Sequence, residues 1–504
     1  MRARTTTRTR WVMVLLGVLS PLAVLGCTPG SDQANTTMAL PVHGACATLP
    51  PGPAEPPAGA VVVDPAIPGD LQAKTKASPA GTTFWLKPGT HTLGTDEFDQ
   101  IAPKDGNRYV GAPGAVVDGR DLNRYAFTGK ASRVTIEHLT VTGFDAPDNE
   151  GVVNHDSGAD WLIQSNLLTG NHGAALMAGA RQVMKGNCLK DNGQYGLNAC
   201  CGEVTDLLLE GNEFVGNNAD DVESKYPDGC GCTGAMKFWE VDGADIRGNW
   251  IHDNRGPGIW ADTNNNDFLI ENNLIEDNDG NAIFYETSYN AVIRDNTMKR
   301  NNVVGGREFV DRDDNFPTAA IYISESGGDA RVPARTDKIE IYGNDLEDNW
   351  SGITLWENAD RFCNSPANTS TGTCTLVVGD VAKCAPPGIL REPLLSDCRW
   401  KTQNVQIHDN RFAVDPKAID CQAMCARMAV LSNYGSSPDW SPYQAETVPE
   451  AITFDQHNRW YGNDYTGPWT FVAHDASTLV EQTEWQATPY RQDQGSTFAV
   501  GGGG

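Results

Sequence analysis

An asparagine closes one short apolar run after another in this chain: Asn166, Asn187, Asn212, Asn249, Asn273, Asn296, Asn344, Asn410 and Asn458. Five residues beyond each of the first seven stands a second asparagine: Asn171, Asn192, Asn217, Asn254, Asn278, Asn301 and Asn349. The shortest steps between first asparagines are 21, 23, 24 and 25 residues. A period in the twenties excludes a globule built round one central core and requires stacked units.

The rest of the repeat selects the kind of stack. WLIQSNLLTGN (161–171), LLLEGNEFVGN (207–217) and FLIENNLIEDN (268–278) each carry two short apolar strands round an asparagine. A third strand follows a Gly or Ala in GIWADTN (258–264), NAIFYETS (281–288), TAAIYISE (318–325) and SGITLWEN (351–358). Three short strands in about 23 residues make one coil of a parallel β-helix, and parallel crossovers are right-handed almost without exception. The expected fold class is all-β, a right-handed parallel β-helix with an N-terminal cap. An amide at one bend of every coil satisfies backbone groups that no strand ladder reaches, so the asparagines are structural.

With these motifs the chain resembles the right-handed parallel β-helix proteins of the pectin-lyase-like superfamily. GTTFWLKPGTH (81–91), AVVDGRDLNRYAFTG (115–129) and VTIEHLTVTGF (134–144) resemble that family's opening coils. The resemblance spans roughly residues 60 to 475 and identifies a scaffold rather than a reaction. It implies a short helix capping the first coil, expected at GDLQAKTKA (69–77). It also implies action on polysaccharide, since the family holds lyases, hydrolases and epimerases.

Ahead of the repeats lies an export signal. Arg2, Arg4, Arg8 and Arg10 precede an apolar run from Trp11 to Gly26, which ends in VLGC. The run is short for a membrane span. VLGC resembles the lipobox of bacterial lipoproteins, with Cys27 as the lipidated residue. The expected order is a lipoprotein signal peptide at 1–26, a Pro/Ala-rich tether at 27–60, the β-helix at 61–475 and a C-terminal tail at 476–504. The protein is then exported and lipid-anchored to the outer face of the cell membrane.

Loss of the four arginines in residues 1–26 takes the formal charge from −27 to −31. That excludes nucleic acid as a partner and repels polyanionic glycans at long range. Thirteen cysteines suit an oxidising compartment, and with Cys27 lipidated twelve remain for disulfides. Neighbours in sequence give Cys363–Cys374, Cys384–Cys398 and Cys421–Cys425. Cys200 and Cys201 face Cys230 and Cys232, as disulfides or as a zinc site, and Cys46 is left for Cys188. No metal is assigned to the protein on this reading.

Inserts at 218–233, 303–317 and 359–402 break the period. Insertions in a solenoid project as loops, commonly on the binding face. With Met236, Ile259, Ile283, Ile321 and Ile353 inward, the alternate third-strand residues point out. One outward row is then Lys237, Trp260, Phe284, Tyr322 and Thr354. The next is Trp239, Asp262, Glu286, Ser324 and Trp356. Lys237, Asp262 and Glu286 are the candidate catalytic residues, expected to share one small patch with Trp260 on the outer sheet face; the bland alternative is a merely solvated face. Trp239, Trp260, Tyr322 and Trp356 are the candidate sugar-binding residues, because apolar ring faces of sugars stack on aromatics. A hydrolase would use the two carboxyl groups. A lyase would use Lys237 as base, with Asp262 and Glu286 holding Ca²⁺ as the one cofactor these residues suggest. A non-catalytic carbohydrate-binding or adhesive surface protein is the alternative.

Overall fold

The computed structural model describes residues 44–200, 203–225, 232–370 and 372–499. Cys27 and the whole expected signal peptide lie outside the described residues. Three sheets of 13, 13 and 11 strands run the length of the solenoid, and each strand hydrogen-bonds to its counterpart one coil away. Every pairing is parallel except Phe471↔Val480 at the last turn of the third sheet. The fold is the right-handed parallel β-helix that the repeat implies.

One coil shows how the sequence builds it. Asn266–Glu271 lies in the first sheet, Leu274–Glu276 in the second and Ile283–Glu286 in the third. Asn272 and Asp277 stand at the corners between them, both with φ of 54°. The left-handed region is open to Gly and, through local hydrogen bonding, to Asn and Asp. That is why Gly186, Gly211, Gly248, Asp295 and Gly343 occupy the same corner in neighbouring coils, with φ between 54° and 65°. After each of them comes the repeated asparagine.

The amides form two ladders. From Asn166 to Asn410, each Nδ2 donates to the Oδ1 of the next asparagine at 2.9–3.0 Å. A second ladder runs from Asn171 to Asn349 over the same distances. Each amide also bonds backbone: Asn249 Nδ2 donates to the Leu209 carbonyl, and Asn249 Oδ1 accepts the Asn212 N–H. The top of the first ladder corrects the sequence reading. Asn410 bonds to Asn463 and not to Asn458, whose Oδ1 instead accepts the Val405 N–H. Asn249→Ala is expected to strand several buried donors and acceptors at once. The destabilisation should be on the order of 2–3 kcal/mol, read as a lower urea midpoint; an unchanged midpoint would deny the ladder a structural role.

Inside the ladders the core is one continuous column. Ile246, Ile270, Ile293, Ile341 and Ile407 stack in register in the first sheet. Ile259, Ile283, Ile321 and Ile353 do so in the third. The helix Asp70–Ala77 covers the first coil and sends Leu71 into this core. At the other end Trp485 packs on Trp460 and Phe471, with ring centroids 5.4 and 5.0 Å apart. Thr497–Ala499 extends the second sheet by pairing with Asp464–Thr466. The 476–504 segment is therefore folded onto the solenoid as far as it is described, because the last coil needs a cover as much as the first does.

The tether expectation is corrected in the same way from residue 44 on. Cys46 is disulfide-bonded to Cys188, and Trp85 Nε1 donates to the Pro53 carbonyl at 3.0 Å. The pairs Cys363–Cys374, Cys384–Cys398 and Cys421–Cys425 form as expected. Cys200 and Cys232 are each disulfide-bonded, so neither is a zinc thiolate; Cys201 and Cys230 lie outside the described residues. The 303–317 insert opens with the helix Val303–Asp311. The 359–402 insert is a compact excursion with its own apolar cluster of Phe362, Ile389 and its four cysteines.

Candidate functional site

In-register parallel strands place equivalent side chains one above another at about 4.8 Å. The third sheet uses this to make an aromatic stack. Lys237, Trp260, Phe284, Tyr322 and Thr354 pair in succession. The Trp260 and Phe284 rings stack at 5.1 Å, and Phe284 and Tyr322 at 4.8 Å. Phe316, from the second insert, meets both Tyr322 and Trp356 edge-on, at 5.6 and 5.3 Å. Lys237 Nζ caps the stack 4.1 Å from the Trp260 ring, a cation–π contact.

The outward register of the candidate residues is as read from sequence, and the face they share is covered. The side chains of Lys237, Asp262 and Glu286 are only 10%, 9% and 12% exposed. The third insert covers them. Ser370 Oγ lies 2.6 Å from Thr263 Oγ1, and Asn264 Nδ2 donates to the Cys374 carbonyl at 2.9 Å. Arg399 of the same insert pairs with the buried Glu357 at 2.6 Å. Charges so covered need partners, and they have them. Lys237 Nζ is 3.0 Å from Asp262 Oδ2, and the Thr263 hydroxyl donates to Asp262 Oδ1 at 2.9 Å. Trp260 Nε1 donates to Glu286 Oε2 at 3.0 Å, while Arg361 holds Glu286 Oε1.

Arg361 and Glu325 belong to this network and were not singled out in the sequence. Arg361 lies 3.7 Å from Glu325 Oε2, and Glu325 also accepts the Asn358 N–H at 2.9 Å. Glu325 closes the TAAIYISE strand and Arg361 opens the third insert; the insert was the one available signal for the latter. Burial pushes the Glu286 carboxyl up; Arg361 opposes this and Asp262 adds to it. Burial likewise lifts Glu325 from its ordinary 4.5 to about 7, against the pull of Arg361. Burial alone would discharge Arg361, but Glu286 and Glu325 outweigh it and raise its pKa.

A raised carboxyl pKa in the folded state means that folding takes up a proton. The contribution of Glu325 is fully present below about pH 4.5 and is lost as pH rises through about 7. Stability should therefore fall from pH 5 to pH 8, and Glu325→Gln should flatten that fall. Urea midpoints across this range check it; parallel curves for the two proteins would count against the assignment.

Of the other candidates, Tyr322 joins through the stack and Trp356 through Phe316. Trp356 also packs on Ala429, Leu431 and Val472. Trp239 is partly exposed, and it is level with Asp262, whose N–H donates to the Phe238 carbonyl at 2.9 Å. The carboxylates do not fit Ca²⁺: Lys237 and Arg361 already occupy the positions an ion would take. Beside the network, a groove of about 640 Å³ runs between the 218–233 insert and the Val303–Asp311 helix, and Trp260 forms part of its wall.

The right handed beta helix region family matches residues 152–361. A comparison with curated proteins finds no match. Among solved structures, the chain is similar to the A-module of mannuronan C-5 epimerase AlgE6 from Azotobacter vinelandii. That match has 13% identity and a TM-score of 0.43, over 85% of this chain and 94% of that one. It is also similar to the catalytic unit of a thermostable GH87 α-1,3-glucanase from Streptomyces thermodiastaticus, at 14% identity and TM-score 0.38, over 90% and 69%. Tailspike protein 2 of Escherichia coli O157:H7 bacteriophage CAB120 matches at 11% and 0.38, over 63% and 44%. These are likenesses of a coiled scaffold, and no chemistry follows from them.

Proposed function

We propose that the protein binds a polysaccharide strand along the groove at Trp260 and hydrolyses it with Glu286 and Asp262. One observation carries the reading: Trp260 belongs at once to the groove wall and to the charged network. Its ring is sandwiched between Lys237 and Phe284, so the indole offers the groove an apolar edge within one side chain of a carboxyl pair. Glu286, pushed up by burial, is the general acid. Asp262, ion-paired to Lys237, is the nucleophile or base. To donate to a glycosidic oxygen, Glu286 must release the Trp260 N–H, which the incoming sugar replaces.

Hydrolysis is favoured over elimination by the state of Lys237. Its ammonium is held by Asp262 at 3.0 Å and by the indole face at 4.1 Å. Both contacts hold its amine against the protein and away from the sugar C–H proton that a lyase base must reach. The test is a glycan panel with the purified protein, reading reducing ends and ultraviolet absorbance of unsaturated uronides in parallel. New reducing ends without that absorbance support the proposal, and unsaturated product overturns it. The mutual pairing of Lys237, Asp262, Glu286 and Arg361 favours a second reading, a carbohydrate-binding or adhesive surface protein. Retention on a glycan without turnover selects it.

We also propose export and lipid anchoring through Cys27. The disulfides among the described residues support an oxidising compartment. No helix among the described residues is long and apolar enough to cross a membrane. Cys27→Ala is expected to abolish lipid labelling and release the protein from the membrane fraction. Unlabelled wild-type protein would end the anchoring proposal.

A further inference from the structure

We infer that a second, separate site at Trp440 binds uncharged hexose units of a glycan chain; this rests on the reading of the protein as glycan-binding. A groove of about 530 Å³ is lined by Asn364, Ser365, Asn368 and Val381 of the third insert and by Pro438 and Trp440 from beyond it. That volume lies within the range of ligand sites, about 300–1,000 Å³. Asp360 ties the two segments together. Its carboxylate accepts the Ser436 and Ser437 N–H groups at 2.6 and 2.9 Å, and its carbonyl accepts the Ser365 hydroxyl. Asn368 braces the loop, donating to the Thr373 carbonyl at 3.2 Å and accepting the Ser370 N–H at 3.1 Å, and the Cys363–Cys374 disulfide closes it. A groove held in shape in this way loses little freedom when a ligand enters.

Trp440 is the most exposed tryptophan among the described residues, at 36%. Phe362 is its ring neighbour, at 5.7 Å and an interplanar angle of 75°, so among the described residues no aromatic ring lies flat over the indole. The C–H face of a sugar packs on such a ring. Two polar groups of the lining are uncommitted. Among the described residues neither Trp440 Nε1 nor the Asn364 carboxamide makes a hydrogen bond within the protein. The indole N–H donates, and the carboxamide both donates and accepts, which is what sugar hydroxyls need. No residue of the lining is charged, in a chain with 65 acidic and 38 basic residues. The Asp360 carboxylate is nearby, but Ser436 and Ser437 occupy its oxygens. A uronate or an ammonium sugar would shed water here and meet no counter-charge, which is costly. An unsubstituted hexose brings only hydroxyls and an apolar face.

The experiment measures binding of short chains of matched length to the purified protein. An α-glucan, a β-glucan and a galactan are the neutral probes; a polyuronate and a glucosamine polymer are the charged ones. At least one neutral probe should bind, with an affinity that added salt leaves unchanged. Trp440→Ala should weaken that binding at least about ten-fold, and Asn364→Ala several-fold. A denaturant midpoint measured beside binding checks the fold of Trp440→Ala. Asn364→Ala removes no side-chain hydrogen bond within the protein, so it decides alone if that midpoint collapses. Neutral-probe binding unaltered in both variants, or no neutral probe bound by wild type, overturns the inference. Glycan cleavage that Glu286→Gln abolishes would in that case leave the hydrolase reading standing. Neutral-probe binding lost in both variants, with no turnover of any glycan by wild type, would sustain the inference and remove the hydrolase reading.

Discussion

Glu286→Gln should lower glycan turnover by a factor on the order of 10² to 10⁴, the range expected for loss of a positioned general acid. The amide keeps the shape of the carboxyl but has one acceptor oxygen for the two donors, Trp260 Nε1 and Arg361, so a denaturant midpoint measured beside turnover checks that the fold persists. Asp262→Asn should produce a loss of similar size, since it removes the charge that faces Lys237 across 3.0 Å. Lys237→Met separates the chemistries, because a hydrolase keeps part of its turnover and a lyase loses its base. Chain binding in all three variants should stay within a few-fold of wild type, because the groove wall at Trp260 remains. Trp260→Ala should do the reverse and weaken binding first. Full turnover in both carboxyl variants would show that cleavage, if present, happens elsewhere.

The second large effect should come from Arg361→Met. Removing one partner of a buried ion pair leaves charge without compensation and destabilises by about 3–5 kcal/mol. Here two carboxyl groups lose the same guanidinium, with side chains 12% and 1% exposed. Both should then hold protons at neutral pH, so the deficit should shrink on acidification. Adding Glu286→Gln and Glu325→Gln to Arg361→Met should recover most of the loss, since neutral amides need no counter-charge. Denaturant midpoints of the single and triple variants at pH 5 and pH 8 decide it. A single variant as stable as wild type at pH 8 would mean that the third insert is held without this pair.

The scaffold was legible because its two signals reinforce each other. A corner with positive φ admits Gly, Asn, Asp or Ser, and the next position must carry an amide that bridges coils. That pairing recurs from Ser165–Asn166 to Asp409–Asn410. It misled only near the end, where Asn458 and Asn463 are spaced by five residues, like the two ladders themselves. A spacing rule cannot say which of the two lies over Asn410, and the structure places Asn463 there. Alternation in the third strands fixed which of Lys237, Trp260, Asp262 and Glu286 face out. What lies on top of them was not legible. Arg361 is 75 residues from Glu286, and nothing periodic announces a contact made by an insert. The outer face read from strand pattern is covered by an insert, which the pattern could not announce because it describes a sheet and not the loop that folds back over it.

The disulfide between Cys46 and Cys188 also sets how the molecule carries a mechanical load. A pull on the N-terminal segment passes through this covalent link straight to the coil at Cys188 and bypasses the chain between them, a sequence separation of 142. If the opposing pull is a glycan held at Trp260, tension runs from that coil through the next few and enters the third sheet near Lys237. The opening coils, with their capping helix, then hang outside the force path. They cannot be peeled away in sequence from the end, which is where a stack of weakly joined units would yield first.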